Sequence, residues 1–152
     1  MVLEEIYFMK LIYEKTQDKG NAIYQIYIEE EKEYFYIRAG GHIDEDFHTT
    51  TNLQLIEEVR KYQYPRFIFD LSEQESTHFR SRIWFISYVA RKGYEILKGK
   101  TIYAAAISSS SPSETGFTHI IMRSIASINS NINIQLFNIN GLEKAKNWIL
   151  QK

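Results

Sequence analysis

Tyr64-Pro65-Arg66-Phe67-Ile68-Phe69-Asp70-Leu71-Ser72 closes one helical stripe and opens the half of the chain in which strands and helices alternate. Its centre, residues 67–71, is a short apolar run of the kind that forms a strand covered on both faces. Upstream, residues 6–13, 22–29 and 33–39 are rich in Ile, Tyr and Phe and are bounded by polar or glycine-containing breaks. Those are three candidate strands. Gly20-Asn21 supplies residues that tolerate positive φ for the first reversal, and the charged run 29–33 supplies the tip of the second. An antiparallel meander follows from that order.

Between the meander and the 67–71 run the period changes. Phe47, Leu55, Ile56, Val59 and Tyr62 share one side of a helix, with Glu57, Glu58, Arg60 and Lys61 on the other. Thr49-Thr50-Thr51 is a poor helix interior, because branched side chains lose χ1 freedom there, so the regular helix is expected from about Thr51. Downstream the alternation repeats. Residues 79–92 read as a helix stopped by Gly93, 101–107 as a strand, and 132–137 as the last strand. Ser111-Pro112-Ser113-Glu114 has the form of a capping box and opens a helix with Phe117, Ile121, Ile125 and Ile128 on one stripe. Residues 140–150 read as a final helix with Asn140 as cap and Glu143 three positions on. The βαβ units after Phe67 require right-handed crossovers and a parallel sheet. The expected fold is α/β: a mixed sheet of antiparallel meander and parallel units, covered by about four helices.

A chain of 152 residues suits one domain, and residues 1–152 are read as such. The absence of cysteine excludes disulfide scaffolds, thiolate metal sites and cysteine nucleophiles. With 18 Lys+Arg against 19 Asp+Glu there is no global field for a polyanion, so no nucleic-acid partner is expected. Acids at Glu4 and Glu5 and a lysine at Lys10 do not suit a signal peptide, and no stretch approaches the ~20 apolar residues of a membrane span. The chain is read as cytoplasmic.

Three segments then resemble the STAS-like (SpoIIAA-like) family. They are Ile68-Phe69-Asp70-Leu71-Ser72 followed by a helix closed by Gly93, the strand 102–107, and the C-terminal Glu143-Lys144-Ala145-Lys146-Asn147-Trp148-Ile149. The turn Gly41-His42-Ile43-Asp44-Glu45-Asp46 is similar to that family's entry into its first helix. The resemblance spans residues 22–150 and implies a mixed sheet with helices. In the anti-anti-sigma branch it also implies partner binding switched by a phosphorylated serine at the start of the helix after Asp-Leu-Ser. Here His78, Phe79, Arg80 and Ser81 fall on those positions, so the acceptor is out of register. Ser76, Thr77 and Ser81 are the hydroxyls nearby, and a serine at a helix start is ordinarily a cap.

Other clusters carry chemistry of lesser specificity. His42, Asp44, Glu45, Asp46 and His48 are metal-ligand types, yet acids at a helix entrance favour its positive end, and neither metal nor cofactor is expected. Ser109, Ser110 and Ser111 precede a helix where open α/β sheets bind ligands, which makes them a possible anion site, although no lysine or arginine accompanies them. Arg80, Arg82, Trp84, Tyr88 and Arg91 crowd one helix whose aromatics lie nearly all round it. One core stripe cannot bury them all, so they are the expected partner-binding residues. Neither a Gly-x-Ser-x-Gly elbow, a His-Glu-x-x-His motif nor a nucleotide-binding glycine pattern occurs, and no enzyme is expected.

Two functions remain. The first is a non-enzymatic regulatory or protein-interaction module of STAS-like type, bound to a protein partner or self-associated as a homodimer. The alternative is a carrier of a small apolar ligand or lipid, in the manner of the CRAL-TRIO architecture. The two divide on whether the interior is fully packed.

Overall fold

The computed structural model describes residues 8–109 and 112–151. Six strands form one mixed sheet whose spatial order is the chain order. Strands β1 (Lys10–Gln17), β2 (Ala22–Glu29) and β3 (Tyr34–Ile43) pair antiparallel. Strands β4 (Arg66–Thr77), β5 (Ile102–Ile107) and β6 (Ile132–Phe137) then continue from β3 in parallel. Helix α1 (Glu45–Tyr62) joins β3 to β4, and α4 (Pro112–Ala126) joins β5 to β6. Between β4 and β5, residues 79–96 make one rod of α2 (Phe79–Trp84), a π-helical segment (Phe85–Ala90) and α3 (Arg91–Ile96). Helix α5 (Leu142–Leu150) ends the chain.

Each crossover steps the same way across the sheet, so crossovers of one hand must all lie on one face. Leu55 and Val59 of α1, Leu97 beyond α3, and Ile125 of α4 accordingly pack into a single cluster with Ile26, Phe35, Ile37 and Phe67. Helix α5 covers the opposite face, where Ala145 and Ile149 meet Tyr36, Ile68, Ala105 and Ile107. Burying each large side chain contributes roughly 1.5–3 kcal/mol. Cross-strand aromatic pairs tie the meander: Tyr27 and Tyr36, directly opposed in register, hold an edge-to-face contact at 5.8 Å, and Tyr13 meets Tyr24 at 6.5 Å.

Several boundaries differ from the sequence expectation. Strand β1 runs over 10–17 instead of 6–13, because Gln17 pairs back to Ala22 across the tight Gly20-Asn21 reversal, where φ is +73° and +50°. Residues 6 and 7, including Tyr7, lie outside the described residues. Helix α1 starts at Glu45, before the threonines, since Asp44 caps it by accepting from the Phe47 N–H at 2.9 Å. Thr51, fully buried, satisfies its hydroxyl on the Phe47 carbonyl at 2.8 Å. Gly93 does not stop its helix, which runs on to Ile96. Asn140 does not cap α5; Gly141 is the N-cap residue and makes no side-chain bond.

The largest difference is β4, which spans Arg66–Thr77 instead of five residues. It outruns β5, whose pairing ends at Asp70–Ile107, and continues beside the glycine-rich end of β3 through two register irregularities. Gly41 belongs to that end. At φ +78°, a Cβ there would stand 2.2 Å from the Asn21 carbonyl oxygen, so only glycine lets the first reversal fold onto β3.

A candidate ligand cavity

Ala104-Ala105-Ala106 occupies the middle of β5, at the centre of the parallel half of the sheet. Alanine suits strands poorly, because it has nothing past Cβ to pack on neighbouring rows. Ala105 faces α5 and its Ala145, where a close approach uses the small side chains. Ala104 and Ala106 face the three crossover connections, and across from them the rod presents Ala90 and Gly93. A Cβ built on Gly93 would meet nothing within 4 Å. Small residues facing small residues leave a cavity of about 200 Å³ between the sheet and the helices.

Its walls are apolar: Phe67, Phe69 and Leu71 of β4, Leu55 and Val59 of α1, and Phe85 and Val89 of the π-helical segment. The segment itself marks the site, since π-helical turns are rare and recur where function displaces a regular helix. Phe85 meets Phe69 edge-to-face at 6.0 Å, which sets one wall.

Polar groups gather at one end. His48, Gln74, Thr77, Arg82, Glu114 and Thr118 line the cavity there, each placed by an element that follows a strand of the parallel half or by the extension of β4. Open α/β sheets bind ligands outside the carboxyl ends of their strands, and this end is that location. Arg82 and Glu114, both buried, form an ion pair, and Gln74 Nε2 donates to the second carboxylate oxygen at 3.2 Å. The Arg82 guanidinium lies 4.0 Å from the Phe117 ring centre, and Thr118 donates to the Glu114 carbonyl at 2.8 Å. The two charges thus neutralise one another inside the protein.

His48 stands in the first turns of α1 with its ring edge-on to Trp84 and Phe85, at 5.9 and 6.2 Å. Burial disfavours its charged form and lowers its pKa to about 4, so the imidazole is neutral at pH 7. Its Nδ1 and the Thr77 hydroxyl oxygen are buried without a hydrogen-bond partner, as is the Ser81 hydroxyl.

The residues singled out in the sequence divide between inside and outside. Arg82, expected on a contact surface, is instead an interior residue held by Glu114. Arg80 and Arg91 are exposed; Trp84 is half-buried and stacks on Tyr88 at 5.4 Å, with Tyr88 exposed. Phe79 and Ile83, 62% and 51% exposed, extend that outer face. The Glu114 carboxylate serves Arg82 and Gln74, and the Ser111 end of the expected capping box lies outside the described residues. Ser109 is buried and donates to the Gln74 carbonyl at 2.6 Å, tying the loop after β5 to the extension of β4. Ser110 and Ser111 lie outside the described residues.

The other clusters are occupied by their own neighbours. His42 pairs with Glu75 at 2.6 Å and bonds Ser76 at 2.7 Å, while Asp44 takes Gln17 at 2.9 Å besides its capping bond. Among the described residues no group of three or more His, Asp or Glu is placed to hold a metal ion. Asp70 faces α5, away from the cavity, and accepts from Tyr36 and from the Ser72 hydroxyl and N–H. Among the described residues no helix is long and apolar enough to cross a membrane.

An apolar space between sheet and helices is what the carrier alternative requires; its place, three alanines of a central strand opposite a helical glycine, is what the sequence reading did not locate. No family model matches the chain, and no curated protein matches it in sequence.

Proposed function

We propose that the chain is a non-enzymatic module of STAS-like type that holds a small, largely apolar molecule between its sheet and crossover helices. The observation that carries this reading is the cavity of about 200 Å³ beside Ala104 and Ala106, apolar along its length and polar at one end. A cavity of about 150 Å³ accepts benzene, whereas drug-sized ligands need roughly 300–1,000 Å³. The occupant is therefore a molecule of about one ring, smaller than a membrane lipid. At the polar end the side chains offer hydrogen bonds and a self-neutralised ion pair, which suits recognition without group transfer.

Native mass spectrometry of the protein purified from its own cells tests this. A co-purifying small molecule in the wild type, lost in Ala104→Leu, is the expected result. An empty wild type that also ignores added single-ring compounds would overturn it.

A second reading is favoured by Phe79, Ile83 and Tyr88, which stand exposed on one rod beside Arg80 and Arg91. Exposed aromatic and arginine side chains dominate contact surfaces. Of the four basic side chains in residues 79–96, Arg82 is buried on Glu114 and Lys92 pairs Glu95 at 3.6 Å, which leaves Arg80 and Arg91 exposed on this rod. An isologous dimer through this face would oppose like charges, so the charge favours an acidic protein partner over a second copy. Light scattering at high concentration should return the mass of one 18.0 kDa chain. A dimer that dissociates on Arg80→Ala with Trp84→Ala would reverse that choice.

A further inference from the structure

The two outer strands of the sheet are built differently. Strand β1 carries Lys10, Glu14 and Lys15 and a register irregularity between Leu11 and Tyr13, the charges and bulges that keep a sheet edge from pairing. Strand β6 has neither. Its pairing with β5 is regular from Ile102–Ile132 to Ile107–Phe137, and residues 124–142 contain no Asp, Glu, Lys, Arg or His.

Backbone groups line that second edge. The Ile102 N–H donates to the Asn131 carbonyl at 2.8 Å and the Ser108 N–H to the Phe137 carbonyl at 2.9 Å, so residues 131, 133, 135 and 137 turn their backbone groups to β5. Those of Ile132, Ile134 and Leu136 point away from the sheet. The Ile132 N–H donates to the Asn129 carbonyl at 3.1 Å. Among the described residues no hydrogen bond reaches the Ile132 carbonyl or the N–H and carbonyl groups of Ile134 and Leu136. Another extended backbone presents donors and acceptors at the spacing these groups require.

Side chains set the pattern of that partner. Ile132 and Ile134 belong to the cluster under the crossover helices, whereas Phe137 packs on Trp148 of α5. Residues 132, 134 and 136 therefore share the crossover side, and Asn133 and Gln135 share the α5 side. A strand laid alongside is matched by apolar residues against Ile134 and half-buried Leu136, and by polar ones against Asn133 and exposed Gln135. The edge offers no charge to pair. Its six residues span roughly 20 Å, far less contact than the ~1,200–2,000 Å² of a stable dimer, which favours a single flexible segment over a second copy.

We propose that β6 receives, as an added strand, an extended and uncharged segment of another protein in which apolar and polar side chains alternate. Three short capped peptides titrated into the ¹⁵N-labelled full chain test this: one alternating valine and threonine, the same peptide with its backbone N-methylated, and one with glutamate in place of threonine.

The valine-threonine peptide should give saturable amide shifts over residues 132–137, slow hydrogen exchange at Ile134 and Leu136, and bind about tenfold or more tightly than the other two. Leu136→Pro removes an outward N–H at an edge position where proline is tolerated, and should abolish binding with little change in Tm. The N-methylated control, read on the wild type, keeps the test decisive if that variant does not fold. No binding of the valine-threonine peptide, or equal binding of its N-methylated form, overturns strand addition. Shifts centred on residues 10–17 overturn the choice of edge, and tighter binding of the glutamate peptide overturns the uncharged partner. A dimer of the peptide-free chain that Leu136→Pro dissociates overturns the foreign segment in favour of a second copy.

Discussion

At the scale of single residues, His48 gives the account its clearest pH signature. Its folded pKa of about 4 lies below the ordinary 6.5, so between those values the unfolded chain binds a proton that the folded chain refuses. Stability therefore falls as pH drops from about 6.5 toward 4 and levels off below, by about 3 kcal/mol at most. Carboxylates titrate over part of the same window, which makes the difference between proteins the useful quantity. Urea unfolding at pH 7 and pH 4.5 should show His48→Phe losing about 2 kcal/mol less than the wild type; an equal loss would mean that the imidazole is not desolvated. Arg82 and Glu114 make a second residue-scale case. Removing one partner of a buried pair strands the other charge, so Arg82→Met should destabilise by about 3–5 kcal/mol. Arg82→Met together with Glu114→Leu should recover most of that loss in the same unfolding measurement, and no recovery would place the cost elsewhere.

At the scale of elements, residues 79–96 carry most of what was unexpected. A glycine just past an apolar stripe predicts a helix stop at Gly93, yet the chain continues in helical geometry through it. What glycine supplies there is absence of volume on the cavity wall. Since a Cβ would meet nothing within 4 Å, Gly93→Ala should stabilise the helix by about 0.5–1 kcal/mol, seen as a raised Tm. A lowered Tm would show that the glycine relieves strain. The crowding of aromatics on this rod was legible in composition, and its resolution was not: Phe85 and Val89 line the cavity, Trp84 lies between, and Phe79, Ile83 and Tyr88 face out. A π-helical segment rotates the residues after it relative to those before, so a single 3.6-residue stripe could not sort them. Strand β4 exceeds the expected run 67–71 for a related reason. Only its first half is covered on both faces and reads as an apolar run; the polar residues 72–77 follow β3 because of pairing with Gly40 and Gly41, a partner no local pattern reveals.

At the scale of the molecule, the topology was legible because alternation gives way to a helical stripe over residues 47–62 and then to the apolar run 67–71, so a helical crossover joins the meander to a parallel strand. The six-stranded mixed sheet, its three helical crossovers and the terminal helix follow that order. The position of the cavity was not legible, because it is a volume shared by β5, the rod and the polar ends of α1 and α4, and no one element shows it alone. The central claim of the proposed function is that this space admits a small apolar molecule beside the β5 alanines. The most direct test is a titration of the ¹⁵N-labelled chain with toluene, followed by amide shifts. Saturable shifts confined to Ala104, Ala106, Val89 and Gly93 and their neighbours, abolished in a folded Ala104→Leu protein, are the predicted result. Shifts that are absent, or that fall on Phe79 and Ile83 at the outer face, would contradict it.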